Sequence, residues 1–197
     1  MRIRSLAAVA AGLAAAFAGA VAHAGDVMVG LYDHGVQAKQ TKEGGVDPLL
    51  GYSTDPVGAL WWLGKPSVHV IVAGNTNVST DFIAAGLDWR IKLFSPKWYL
   101  RPGIGIAYST GKGNIENPYT PGLSAERRAA LQHEADTRIE FGTHYLFEPE
   151  IALGYKITPK WAAEISYVHL SNGQITHHGE NQALDDIGVR AIYHFGR

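Results

Sequence analysis

The sequence lacks cysteine, which excludes a disulfide framework and a thiolate metal site. It also lacks an excess of either charge: 17 Lys and Arg residues stand against 18 Asp and Glu residues, giving a net charge of −1. Without a basic excess, nucleic acid is not an expected partner. After residue 24 there is no apolar run of about 18 residues, so the pattern excludes transmembrane helices but leaves membrane-spanning strands open.

The first 24 residues have the pattern of a secretory signal peptide. Arg2 and Arg4 precede an alanine-rich apolar run, and Ala22-His23-Ala24 forms a small-residue cleavage site. The alternative, a transmembrane anchor, fits less well because the run ends in that site. We therefore expect a signal peptide at 1–24 and a single domain at 25–197.

The rest of the chain alternates between two kinds of residue with a period of two. In "DFIAAGLDWRIKLF" (81–94), the odd positions from Ile83 to Leu93 are apolar, while the even positions between them are small or charged. "KWYLRPGIGIAYS" (97–109) and "YLFEPEIALGYKI" (145–157) repeat this pattern. A face of charged and small residues cannot pack in a dry core, but it can line the polar interior of a narrow membrane barrel.

These patterns predict an all-β fold, an eight-stranded antiparallel transmembrane β-barrel of the bacterial outer membrane. The predicted strands lie near 26–33, 56–63, 67–74, 80–93, 97–108, 139–157, 161–172 and 184–195. The short, Pro-containing turns are 64–66, 95–97 and 158–160. The long polar connections lie near 34–55, 75–81, 109–137 and 173–183. Short turns at one end and long loops at the other are typical of outer-membrane barrels.

Two further features complete this predicted architecture. Residues 123–135 are expected to form a helix in a long external loop, with Ser124 as its N-cap. A soluble, lipocalin-like barrel with its apolar face inward is the alternative fold, because the alternation alone fits both. We favour the membrane barrel, since an even, closed set of strands leaves no unpaired edge in lipid.

The last two predicted strands bring three polar side chains together. In "WAAEISYVHLS" (161–171), His169 and Ser171 share the apolar, lipid-facing side, because residues two apart in a strand point to the same face. In the following strand Asp185 has the lipid-facing parity, whereas Asp186 points inward. We therefore predict an esterase in which Ser171 attacks a carbonyl, His169 takes its proton and Asp185 stabilises the imidazolium. A polar pair at headgroup level, without chemistry, is the alternative.

Several nearby residues complete the predicted site. Asn172, Gly173 and Asn181 are candidates to bind the oxyanion or the substrate. Glu180, in the loop, is the alternative acid. No metal site is expected in this region.

The sequence resembles the lipid A 3-O-deacylases of the PagL type. The resemblance lies in "HLSNG" (169–173), followed by Asn181, an acid at Asp185 and a final aromatic strand. "PGIGIAYSTG" (102–111) and "FEPEIALGYKI" (147–157) are similar to that family's middle strands. The resemblance implies an outer-membrane barrel that hydrolyses the 3-position ester of lipid A without a cofactor or metal.

By position, the resemblance makes His169 the base, Ser171 the nucleophile and Asp185 the acid. The family has Glu where this chain has Asp, and the loop before the acid is longer here, so Glu180 and Asp186 stay open as alternatives. The expected partners are lipid A and outer-membrane lipid, and a homodimer is left open.

Two competing functions remain at this point. One is phospholipid hydrolysis, because outer-membrane phospholipase A also has an H-x-S motif, although in a larger barrel with more strands. The other is a small barrel without enzymatic activity, which has no need for His169, Ser171 and Asp185 on one patch.

Overall fold

The computed structural model describes residues 24–36, 42–77 and 79–196. The predicted signal peptide, apart from Ala24, lies outside these residues, so its cleavage stays a prediction. No helix within the described ranges is both long and apolar enough to cross a membrane.

The described part of the chain forms nine strand segments that close into an antiparallel barrel. These are β1 (Gly25–Asp33), β2 (Val46–Thr54), β3 (Ser67–Ala73), β4 (Phe82–Asp88), β5 (Ile91–Lys92), β6 (Trp98–Ser109), β7 (Tyr145–Lys156), β8 (Trp161–Leu170) and β9 (Leu184–Phe195). The sheet closes because β1 pairs with both β2 and β9, and β4 pairs with both β3 and β6.

Segments β4 and β5 form a single barrel strand. Both pair with β6 in one continuous register, with Asp88 opposite Gly103 and Ile91 opposite Leu100. Pro102 lies opposite the gap and has no N–H to donate, which explains the break. The barrel therefore has eight strands, and the predicted fold class is confirmed.

The second barrel strand is not where the sequence pattern placed it. Residues 56–63 were predicted as a strand, but Gly58–Leu63 form a 3-10 helix and the strand is β2. Four adjacent bulky residues at 60–63 leave no small or polar residue to face a narrow interior. In β2, by contrast, every second residue faces inward: Asp47, Leu49, Gly51 and Ser53. The first long loop is consequently 34–45, and β7 begins at Tyr145 rather than near residue 139.

The connections separate the two ends of the barrel. The short-turn end carries the connections 55–66, 93–97 and 157–160. The long-loop end carries 34–45, 74–81, 110–144 and 171–183. Within 110–144, α1 (Ala125–Thr137) begins after Ser124, whose side chain accepts a hydrogen bond from the Arg127 N–H at 3.1 Å. The predicted helix and its N-cap are confirmed, and the helix runs two residues further than the predicted 123–135 at its C-terminal end.

The inward-facing side chains fill the barrel with paired charges. Arg190 Nη1 lies 2.9 Å from Glu150 Oε2, and Tyr99 donates a hydrogen bond to Glu164 at 2.6 Å. Gly154 lets the Tyr99 ring approach the wall, since a Cβ there would lie 2.1 Å from the ring. Buried apolar side chains share this interior with the charges, so the inside of the barrel is occupied by the chain itself and its outer wall is the exposed face.

Candidate active site

The pairing of β8 with β9 determines which side chains meet at the long-loop end. His169 lies directly opposite Asp185 in the register, and side chains in such pairs have Cβ atoms about 4.5–5.5 Å apart. Beyond the end of β8, Ser171 forms a two-way backbone bridge with Phe147 of β7. This bridge keeps the chain extended, so Ser171 stays on the same outer face as His169.

The three side chains form a continuous hydrogen-bonded chain. His169 Nδ1 lies 2.6 Å from Asp185 Oδ1, and His169 Nε2 lies 3.0 Å from Ser171 Oγ. The His169 side chain is 30% exposed and that of Asp185 is 11% exposed, so the site opens outward while its acid is shielded. With the proton on Nδ1, Nε2 is the nitrogen that can accept the serine proton.

Tyr167 adds a fourth side chain that the sequence analysis did not assign. Its hydroxyl donates a hydrogen bond to the same Asp185 Oδ1 that contacts His169. Tyr167 lies two residues before His169, on the same face of β8, and is opposite Ile187 in β9. The period of two could have identified it, but an outward Tyr is also expected in lipid-facing strands.

Of the three acids considered from the sequence, only Asp185 hydrogen-bonds to His169 among the described contacts. Asp186 points to the inside of the barrel, where its Oδ1 accepts a hydrogen bond from the Gly35 N–H at 3.1 Å. Glu180 is exposed in the loop, and its main-chain oxygen accepts from the Asn172 amide at 2.8 Å. Asp185 is further held by its own main-chain oxygen, which accepts from the Val36 N–H at 2.8 Å.

The candidate oxyanion residues differ in whether their N–H groups already donate hydrogen bonds within the described part of the chain. Asn172 is fully buried, and its amide donates to the main-chain oxygens of Phe141 and Glu180, so that side chain braces the loop. Asn181 accepts from the Asn172 N–H at 2.9 Å, and its own amide hydrogens have no acceptor among the described residues. Gly173 is exposed in a left-handed conformation (φ +60°), and its N–H likewise has no acceptor there.

Behind the wall at the same height lies a buried cluster, which we call the rim cluster: His34, Glu43, Asp47 and Asp186. His34 Nδ1 lies 2.7 Å from Asp47 Oδ2, and Nε2 lies 3.2 Å from Glu43 Oε2. Asp186 Oδ1 lies 3.8 Å from His34 Nδ1. This cluster joins the end of β1, the first loop and β2 to the start of β9, which carries Asp185.

The loop members of the rim cluster have shifted pKa values. Burial alone would lower the pKa of His34, but its hydrogen bonds with Asp47 and Glu43 outweigh burial and raise it from 6.5 to about 10. Burial alone would raise the pKa of Glu43, but hydrogen bonds from His34 and from the Ile139 N–H outweigh it and lower the pKa from 4.5 to about 2.

The stability of the barrel is therefore expected to depend on pH through this cluster. The contribution of charged His34 is complete below pH 6.5 and is lost as the pH rises through about 10. The contribution of ionised Glu43 is complete above pH 4.5 and is lost as the pH falls through about 2. Urea unfolding of the micelle-bound barrel across pH 2–10 measures both contributions, with His34→Gln as the comparison for the alkaline side.

At pH 6, His34→Gln is expected to lower the free energy of unfolding by about 1–3 kcal/mol, because a buried charged hydrogen bond is lost. The difference between wild type and variant should then shrink toward pH 10. Two curves that stay parallel over this range would contradict the role given to His34.

The fold and the site together define a class of protein: an integral outer-membrane β-barrel with a hydrogen-bonded Ser, His and Asp on its outer wall. The profile of the family described as "Lipid A 3-O-deacylase (PagL)" matches residues 35–194, and the chain belongs to that family. It is therefore an ester hydrolase of the outer membrane that acts on lipid A.

Solved structures agree on the fold. The structure titled "Crystal structure of the outer membrane enzyme PagL" has a TM-score of 0.59 and 14% identity, covering 85% of this chain and 98% of that one. A structure from "De novo design of transmembrane beta-barrels" has a TM-score of 0.51 and 14% identity, covering 87% of this chain and 95% of that one. No curated protein sequence matches the chain.

Proposed function

We propose that the chain cleaves the 3-O-linked acyl ester of lipid A with Ser171 as nucleophile, His169 as general base and Asp185 as the acid. The observation that carries this assignment is the hydrogen-bonded order Ser171–His169–Asp185 on the outer wall at the long-loop end. In an outer-membrane barrel the long loops are external. The site therefore lies at the outer leaflet, where the ester bonds of lipid A are found.

The reaction proceeds in two balanced stages. Ser171 Oγ attacks the acyl carbonyl while its proton moves to His169 Nε2, and Asp185 stabilises the imidazolium. The tetrahedral intermediate collapses, and His169 returns the proton to the departing sugar oxygen, leaving an acyl ester on Ser171. Water, deprotonated by His169, then attacks this ester, releasing the fatty acid and restoring the Ser171 hydroxyl.

The oxyanion of each tetrahedral intermediate requires hydrogen-bond donors that are free and nearby. We assign this role to the Gly173 N–H and the Asn181 amide, whose hydrogens have no acceptor among the described residues. Asn172 instead positions both, since it bonds Asn181 through its N–H and braces the loop through its amide. A homodimer is not needed for this chemistry, because one chain supplies every group.

Tyr167 is assigned as a positioning residue for the acid. Tyr167→Phe removes the hydroxyl that bonds Asp185 and keeps the ring, so we expect kcat to fall about tenfold with little change in KM, a loss of about 1.4 kcal/mol. The measurement is steady-state hydrolysis of lipid A in micelles. Tyr145→Phe is the matched control, since Tyr145 is also an exposed tyrosine of the outer wall, on neighbouring β7.

An equal loss of kcat in Tyr145→Phe and Tyr167→Phe would remove the special role of the Tyr167 hydroxyl. A rise in KM with unchanged kcat in Tyr167→Phe would place that residue in substrate binding instead.

The choice of ester is tested with the purified barrel in detergent, supplied separately with lipid A and with phospholipid. We expect release of a 3-hydroxy fatty acid from lipid A and no free fatty acid from phospholipid. Release from phospholipid with lipid A left intact would reject the deacylase in favour of a phospholipase-type activity.

A further inference from the structure

The connection 55–66, which we call the foot, is unusual for the short-turn end of a barrel. Its centre is the 3-10 helix Gly58–Leu63, and no charged residue lies between Asp55 and Lys65. Trp61 is 71% exposed and Trp62 is 67% exposed. Two adjacent, largely exposed indoles on an uncharged segment are costly in water, so the segment calls for an apolar partner.

A hydrogen bond holds the foot against the outer wall of the barrel. The Trp89 Nε1–H donates to the Leu63 main-chain oxygen at 2.8 Å. Trp89 directly follows β4 and lies an even number of positions from Ile83 and Ala85, which are exposed on the outer face of that strand. Its indole therefore belongs to the lipid-facing wall. The foot is closed at its base by the Val57 N–H, which donates to the Pro66 oxygen at 2.8 Å.

The wall around the foot has the composition of a membrane interface. The sequence contains 5 Trp residues, and the topology brings all of them to the short-turn end. They are Trp61, Trp62, Trp89, Trp98 and Trp161. Tryptophan is enriched where acyl chains meet headgroups, because its ring is apolar and its N–H is polar.

The charges at this end complement phospholipid headgroups. Exposed lysines lie in the foot and in the neighbouring turns: Lys65, Lys97 and Lys160. Lysine side chains at this height extend toward lipid phosphates while their stems remain in the apolar layer.

We propose that the foot is a membrane-interface element that lies in the periplasmic leaflet, with an anionic phospholipid layer as its partner. It is continuous with the lipid-facing wall, to which Trp89 joins it, and the lysines supply the matching charge. Because Trp89 holds it to the wall, the foot lies at the depth of the lipid-facing wall beside it.

Because the chain has no cysteine, one introduced cysteine can carry a single spin label at a chosen position. One cysteine is placed at position 62 by Trp62→Cys, and others by Ile104→Cys, Pro159→Cys and Tyr119→Cys. Each full-length variant is labelled with a nitroxide and folded into vesicles containing anionic phospholipid. Ile104 is a lipid-facing reference, 53% exposed on β6; Pro159 is an exposed reference in another turn at the same end, and Tyr119 is an exposed external-loop reference.

We expect the label at position 62 to resemble that at 104. At both positions the ratio of collisions with oxygen to collisions with a water-soluble nickel complex should be several-fold higher than at 159 and 119. A label at 62 that behaves like the label at 159 would overturn the proposal. Shielding from both reagents would indicate a protein partner, and spin–spin broadening a second copy; either result also overturns it. If Trp62→Cys fails to fold, Trp61→Cys gives the same test.

Discussion

Ser171→Ala is expected to lower the rate of lipid A deacylation by at least about 10³-fold while the barrel still folds. The substitution removes the only hydroxyl that hydrogen-bonds to His169 Nε2 among the described residues. Without it no acyl ester can form on the chain, and only polarisation of the carbonyl remains. The residual rate should therefore report the oxyanion donors alone.

The matched control for this variant is Ser166→Ala. Ser166 lies on the same strand but faces inward and is 1% exposed, so its loss should leave hydrolysis unchanged. Release of 3-hydroxy fatty acid from lipid A by the two purified variants measures the contrast. Full activity in Ser171→Ala, or an equal loss in both variants, would reject Ser171 as the nucleophile.

Asp185→Asn is expected to reduce kcat by about 10³–10⁴-fold, because the amide has nearly the shape of the carboxylate but cannot stabilise the imidazolium. The 2.6 Å contact with His169 Nδ1 makes this effect large. An asparagine can also present its amide to Nδ1, which favours the wrong tautomer of His169 for accepting the serine proton.

Two further variants identify the acid by comparison. Glu180→Gln should retain activity because Glu180 is exposed in the loop, away from the imidazole contacts. Asp186→Asn should change stability more than kcat, since Asp186 belongs to the rim cluster behind the wall. If either variant lost as much activity as Asp185→Asn is expected to lose, the acid would have to be reassigned.

The period of two predicted a barrel and the face of each catalytic candidate, although the choice between a membrane barrel and a soluble one also needed the closed, even set of strands. A register shift of one residue turns every side chain to the opposite face, so parity alone separates Asp185 from Asp186. The pairing of His169 with Asp185 follows from the same pattern, because β8 ends and β9 begins at one end of the barrel.

The alternation of inward and outward residues gave a wrong prediction where the local sequence departs from that alternation. In β2, Pro48 and Gly51 interrupt the apolar pattern, while the apolar run at 60–63 imitates a strand although it forms a 3-10 helix. Contacts between distant loops could not be predicted either. His34 meets Asp47 and Asp186 only because β1 lies between β2 and β9 in the closed sheet.

The role of Tyr167 could not be predicted from the sequence for a different reason. Its outward parity was predictable, but its hydrogen bond to Asp185 depends on the stagger between neighbouring strands and on side-chain reach. On a wall where tyrosine is common, nothing in the sequence separates a positioning residue from a membrane anchor.

The most direct test of the central claim is mass spectrometry of lipid A from Gram-negative cells that express either the wild type or Ser171→Ala. Equal amounts of folded barrel in the outer membrane must be established for both. We predict that lipid A loses one 3-hydroxyacyl group in cells with the wild type and stays unchanged with Ser171→Ala. Unchanged lipid A with the folded wild type, or the same loss with both proteins, would contradict deacylation by Ser171.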